Sequence, residues 1–283
     1  AASLPIGNNG LTAGVSYMES MTRPGGDASS LALEANMKSA SGTISYPLYY
    51  ERDTAVFMRA SINWTDEIQH TNLSGEDQDL SHDRVTAFRF GTSINKCSYG
   101  CIGVDFQFSR GIDLGARSQS ETGNGTPLSR SAGKNNFTHF ALNTSYRFSP
   151  IENYEVKLTS GGQYALNDLL NSEQSTITGI NKLSGFTSGS ISGDESWYVR
   201  GQVNRNHYLT NEIKVSPYIY GAAGVAYTLT PTAVEDRATV AKSIGLGMEL
   251  SGADKYFFNK RVSARVEYSK NWATGKLEDL SDV

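Results

Sequence analysis

Apolar and polar residues alternate through this sequence with a period of two, and that alternation limits the fold more than any other feature. Val56, Met58, Ala60, Ile62 and Trp64 alternate with Phe57, Arg59, Ser61 and Asn63. Ile102, Val104, Phe106 and Phe108 alternate with Gly103, Asp105, Gln107 and Ser109, and Val262, Ala264, Val266 and Tyr268 with Arg261, Ser263, Arg265 and Glu267. Successive side chains of a strand point to opposite faces, so each segment is a strand with one apolar and one polar face. No segment carries a 3.6-residue stripe over helical length. The chain is all-β.

A soluble sandwich and a membrane barrel both use such strands, and length separates them. The alternating segments run about 10–16 residues, whereas sandwich strands are usually about 5–6 and a tilted strand crossing a bilayer needs about 9–11. Connections alternate too: short ones at Glu51–Asp53, Lys96–Cys101, Ser149–Asn153, His207–Glu212 and Gly252–Asn259, long polar ones at Asp66–Asp83, Leu114–Asn135, Asp168–Gly193 and Leu229–Arg237. Short periplasmic turns and long external loops are the arrangement of outer-membrane barrels. Aromatic residues such as Tyr46, Tyr50, Trp64, Tyr146, Tyr208, Tyr227 and Trp272 fall near strand ends, as interfacial girdles do. The expected fold is a transmembrane antiparallel β-barrel in outer-membrane lipid, one translocator domain over residues 1–283. No apolar run reaches the length of a membrane helix. A net charge of −4, both signs dispersed, argues against a nucleic-acid partner. About eleven strands are legible, an odd count for a bacterial barrel. The chain therefore reads as a fragment lacking strands at both ends.

No catalytic constellation stands out. His70, His82, His139 and His207 are scattered, and the Gly-rich pairs precede no helix that would cradle phosphate. The expected protein is not an enzyme and carries no cofactor or metal. Cys97 and Cys101 flank Ser-Tyr-Gly in a tight turn. A disulfide in an oxidising compartment and a pair of free thiols both fit, whereas zinc needs more ligands. The informative side chains are the charges on the polar faces: Arg59, Arg89, Asp105, Arg147, Glu155, Lys157, Arg200, Arg265 and Glu267. In a barrel they line a wet lumen of mixed sign, suited to passing a long, varied polypeptide without holding it.

One stretch is more specific. Gly162-Gln163-Tyr164-Ala165, Leu169-Leu170-Asn171-Ser172-Glu173-Gln174, Gly185-Phe186, Gly189 and Ile191-Ser192-Gly193-Asp194 resemble the hemolysin secretion/activation family, the outer-membrane transporters of two-partner secretion. That family shares a superfamily with the barrel-assembly insertases. Weaker similarity extends outward through Ile44–Leu48, Pro127–Arg130, Pro217–Tyr220, Pro231–Glu235 and Ser243–Gly247. The resemblance implies a 16-stranded barrel behind periplasmic transport-associated domains, with the loop containing Gly185-Phe186 folded back into the lumen. It also implies a monomeric barrel and, as partner, a large secreted exoprotein exported as an unfolded chain. Lateral insertion of other barrels, passive diffusion through a porin and a soluble secreted adhesin are the alternatives.

The loop departs from the family at its tip. The usual Val-Arg-Gly-Phe or Val-Arg-Gly-Tyr is here Leu183-Ser184-Gly185-Phe186, and Ala222 stands where the family's partner Asp is expected. Losing both avoids leaving one charge in a confined lumen. The resemblance then implies a tip held by neutral hydrogen bonds or by Lys182. Gly189 and Gly193 bend the loop, and Asp194 anchors its base to backbone or to Arg200, or caps a turn.

Overall fold

The computed structural model describes residues 1–23, 33–72, 78–117, 125–210, 213–233, 235–254 and 260–274. Val234, within the long connection Leu229–Arg237, lies outside them. Among the described residues fifteen strands form: β1 (Ala2–Ile6), β2 (Leu11–Thr22), β3 (Leu33–Tyr50), β4 (Thr54–Thr71), β5 (Gln78–Cys97), β6 (Gly100–Ile112), β7 (Thr138–Phe148), β8 (Tyr154–Ala165), the two-residue β9 (Ser175–Thr176) and β10 (Ser192–Gly193), β11 (Glu195–Arg205), the short β12 (His207–Tyr208), β13 (Ile213–Tyr227), β14 (Ala238–Asp254) and β15 (Lys260–Ala273). One large sheet runs in the order β1-β2-β3-β4-β5-β6-β7-β8-β11-β13-β14-β15, with β12 paired to β13, while β9 and β10 pair separately. Long strands that are neighbours in sequence are neighbours in space, which tight turns on one rim permit.

The chain divides into two compact units. The first comprises Ala1–Ser93, Asp105–Ala141 and Tyr164–Gln174; the second comprises Ile94–Val104, Leu142–Gln163 and Ser175–Val283.

In the first unit the alternation becomes a pair of faces. Ser45, Thr43, Ser41 and Ser39 of β3 stand opposite Arg59, Ser61, Asn63 and Thr65 of β4, and Ile44, Gly42 and Ala40 opposite Ala60, Ile62 and Trp64. Two sequence expectations need correction here. β1 is a twelfth strand on the main path that alternation did not reveal: it is five residues long and carries Pro5, which an edge strand tolerates because its N–H side need not be paired. The polar stretch Asp66–Asp83 is mostly strand, since β4 runs to Thr71 and β5 starts at Gln78. Its charges pair across the ladder: His82 contacts Asp66 at 2.6 Å and Arg84 donates to it at 3.0 Å. The unit's buried core is Val85, Ala87, Leu128, Phe137, Ala165, Leu169 and Leu170.

In the second unit the usual distribution of polarity is inverted. Trp197, Ile244 and Tyr268 are 50%, 57% and 77% exposed on the outward face, while Ser196, Gln202, Asn204, Ser216 and Ser243 are buried on the other. Water favours the reverse arrangement, and lipid favours this one. The polar face is buried because residues 175–194 fold over it: Ile177, Leu183 and Ile191 pack with Tyr218, Tyr220, Ala222, Ala226, Ala241 and Ala273, flanked by Phe186. The two-residue hairpin of Ser175–Thr176 with Ser192–Gly193 closes the base of this loop.

Candidate functional site

The site lies in the second unit, where the tip Leu183–Phe186 meets β11, β13 and β15. Ser184 carries the central contact. Its hydroxyl accepts from Arg200 Nη1 at 2.6 Å and donates to Glu267 Oε2, while Arg200 Nη2 donates to Glu267 Oε1 at 2.8 Å. Tyr218 donates to the same carboxylate at 2.5 Å. The Arg200 side chain is 2% exposed and that of Glu267 is 13%. A buried guanidinium beside a half-buried carboxylate persists in such a place only when the two are paired and hydrogen-bonded. Arg200 also donates to Gln202 Oε1 at 3.0 Å and to Lys182 O at 3.2 Å, and its guanidinium lies 3.7 Å from the centre of the Tyr220 ring. Together these contacts hold the guanidinium from several sides.

The ladder explains why a wall residue takes this role. Arg200 of β11 is the cross-strand partner of Ala222 in β13. A methyl group there leaves the guanidinium free to turn toward the loop. Gly245 and Gly247 of β14 stand opposite Tyr220 and Tyr218, so the two rings lie over backbone that has no side chain. The tip itself requires a glycine: a Cβ on Gly185 would sit 2.0 Å from Asn271 Oδ1 and 2.3 Å from Ser269 Oγ. That close approach lets Asn271 Nδ2 donate to Gly185 O at 2.6 Å.

The rest of the loop is fixed mainly through backbone groups. Gly189 adopts φ +82°, a turn conformation that side chains disfavour. Gly193 is packed so closely that a Cβ would lie 2.6 Å from Tyr227 O. Asp194 is fully buried and accepts from Leu229 N at 2.8 Å, while its own carbonyl accepts from Gln163 at 3.2 Å. Asp194 therefore anchors the base through backbone. Lys182 donates to Thr176 O within the loop at 2.6 Å and lies 5.1 Å from the Tyr198 ring of β11. Burial pulls its ammonium below the ordinary lysine value.

Six of the predicted lumen charges join one alternating chain with a residue that the sequence reading missed. Arg147 lies 4.0 Å from Glu155, which is 3.2 Å from Lys157. Lys157 reaches Glu249 at 3.4 Å, and Glu249 lies 3.8 Å from Arg265. Arg265 is 4.0 Å from Glu267, which holds Arg200. Glu249 is the missed member. Its signal was available, because β14 also alternates, with Lys242, Ile244, Leu246 and Met248 on the other face. Arg265 also donates to Asn181 Oδ1 at 2.8 Å, a second polar contact between wall and loop.

Three predicted charges lie in the first unit. Arg89 donates to Glu173 at 2.7 and 2.9 Å, and His139 lies 3.3 Å from that carboxylate. Glu173, quoted above only as part of a motif, is buried within the 3-10 turn Asn171–Glu173. Arg59 is exposed and makes no ion pair among the described residues. Asp105, also exposed, belongs to none of these clusters. Cys97 and Cys101 are joined across the turn between β5 and β6. Among the described residues no group of three or more His, Cys, Asp or Glu converges on a metal position.

The profile of the family described as haemolysin secretion/activation protein ShlB/FhaC/HecB matches residues 1–250. Among solved structures, CdiB from Escherichia coli is similar with a TM-score of 0.62 at 16% identity, over 93% of this chain and 49% of that one. CdiB from Acinetobacter baumannii gives 0.62 at 15% identity, over 96% and 49%. BamA from Haemophilus ducreyi lacking POTRA domains 1-3 gives 0.54 at 10% identity, over 94% and 60%. The chain thus spans about half the length of the CdiB structures. No curated protein matches it by sequence.

Proposed function

This chain belongs to the haemolysin secretion/activation family, and on that premise we propose that it walls an outer-membrane pore through which a large partner exoprotein leaves the cell as an unfolded polypeptide. One observation carries this reading: the loop tip sits on the polar face through contacts that can be broken one by one, Ser184 on Arg200 and Glu267, and Asn271 on Gly185. Leu183 packs with the loop's Ile177 and Ile191 against tyrosines and small alanines of the wall, and around that apolar patch the tip meets polar groups that water can take over when the loop moves. The alternating charges from Arg147 to Arg200 satisfy one another, so no block of one sign traps a passing segment. Such a lining supports a conduit for varied sequence better than an ion-selective ring.

The test locks the tip. Ser184→Cys and Glu267→Cys are combined in the full-length protein and bridged by a short, cleavable bis-thiol reagent. Export of the partner should fall to background after cross-linking and return after cleavage. Normal export through the cross-linked pore refutes the proposal. Normal partner export together with loss of other outer-membrane barrels points instead to an insertase.

A further inference from the structure

The outward face of the second unit carries a feature that export does not use. Along β13, β14 and β15 the outward positions are apolar, with residues such as Ile219, Ile244, Leu246, Val266 and Tyr268 exposed. Between Ile213 and Gly252 and between Ser263 and Ala273, two charged side chains interrupt this surface, Lys242 and Lys270, both exposed. The register brings them together: Lys242 stands opposite Trp272, and Lys270 opposite Ile244. They are diagonal neighbours on one face, a spacing of about 7–8 Å between backbones. Neither has a carboxylate partner among the described residues, and Lys270 lies 5.6 Å from the Trp272 ring. Both sit near the rim that bears the long connections, since β14 begins at Ala238 and β15 ends at Ala273.

Beside the lysines the surface is grooved. Gly201 and Gly221 are cross-strand partners, and a Cβ on Gly221 would meet nothing within 4 Å. Two adjoining grooves of about 580 and 730 Å³ share Gly201, Gly221 and Ile244; one is bordered by Lys270 and the other by Lys242 and Trp272. Each therefore joins an apolar trough to a cation at the external membrane boundary.

We propose that this face binds a phosphorylated, multi-acyl glycolipid of the outer leaflet, with acyl chains in the grooves and a headgroup phosphate between Lys242 and Lys270. Charge complementarity selects this occupant. Like charges held side by side at a lipid boundary repel unless an anion lies between them, and each lysine near the surface attracts an anionic headgroup by about 1 kcal/mol. An aromatic residue at the same level suits the interface. The site depends on the outer-membrane placement of the barrel and not on export.

Full-length protein in phosphatidylcholine nanodiscs is titrated with diphosphorylated lipid A. Lys242→Ala/Lys270→Ala should weaken binding about 30-fold, while Lys242→Arg/Lys270→Arg retains it. Lipid A stripped of its phosphates should bind wild type as weakly as the intact lipid binds the alanine pair. Equal affinity of wild type and the alanine pair overturns the proposal, as does equal binding of the two lipids. Heat-dependent gel mobility confirms that each variant is folded, and removing lysine from a lipid-facing position does not threaten that fold.

Discussion

Replacing Ser184 by Ala tests the seat of the loop most directly, because one hydroxyl joins the loop to both charges of the wall. In the seated state it accepts from Arg200 at 2.6 Å and donates to Glu267. Hydrogen bonds to charged groups contribute about 1.5–3 kcal/mol each. The loss is less than the sum of two, because Arg200 and Glu267 keep their direct bond at 2.8 Å and Tyr218 keeps its own to the carboxylate. A net loss of about 1.5–3 kcal/mol raises the ratio of unseated to seated loop roughly 10- to 150-fold. Single-channel recording of the full-length protein in a planar bilayer reads this as more frequent large-conductance openings. Asn271→Ala removes an independent contact to Gly185 O, and its bond is between neutral groups, so its effect should be smaller, about 1 kcal/mol. The double variant should open more than either single variant, and because the two contacts hold adjacent residues of one tip their effects are coupled rather than additive. Unchanged opening in Ser184→Ala, with the barrel folded, would refute the reasoning.

Ser184→Arg places a second guanidinium against Arg200. The like charges oppose seating by an amount approaching 4 kcal/mol at about 4 Å, less the attraction to Glu267. Openings should increase, and Ala222→Asp, introduced opposite Arg200, should restore closure. In the first unit, Glu173→Gln leaves Arg89 and His139 without their carboxylate. The urea midpoint followed by gel mobility should fall by the equivalent of about 3 kcal/mol, the lower end of the range for a broken buried pair. Cys97→Ser/Cys101→Ser opens a bridge between residues only 4 apart. Stability should fall by no more than about 2 kcal/mol, with export unchanged.

Sequence alone disclosed whatever depends on period two. The polar faces of β4, β11 and β15 were legible because Arg59, Arg200 and Glu267 each alternate with apolar neighbours. β1 was not legible, since Ala2, Leu4 and Ile6 around Ser3 and Pro5 are too few to establish a period, and the segment owes its strand to pairing with β2. The ends of β4 and β5 were hidden because strands that outrun the lipid become polar on both faces and then resemble loop. The loop lock was half visible. The absence of the tip arginine and of the wall aspartate could be read from Ser184 and Ala222. What stands in their place depends on register, which alternation does not specify. Nothing local to Arg200 says that it faces Ala222, or that Glu267, 67 residues away, reaches the same point.

That exchange bears on how the loop leaves its seat. With an arginine on the tip, unseating would carry one charge away and strand its partner in the wall, at a cost of about 3–5 kcal/mol for a buried pair. Here both charges belong to the wall, Arg200 on β11 and Glu267 on β15, and their direct bond at 2.8 Å involves no loop atom. The tip brings only a hydroxyl and a carbonyl, Ser184 Oγ and Gly185 O. Water can take both places in a hydrated lumen, so unseating costs these hydrogen bonds and strands no charge. The closed state thus keeps the specificity of a buried ion pair while opening leaves no charge unpaired. A chain entering from below has then to displace three hydrogen bonds at the tip and the Leu183 and Phe186 contacts, and no ion pair.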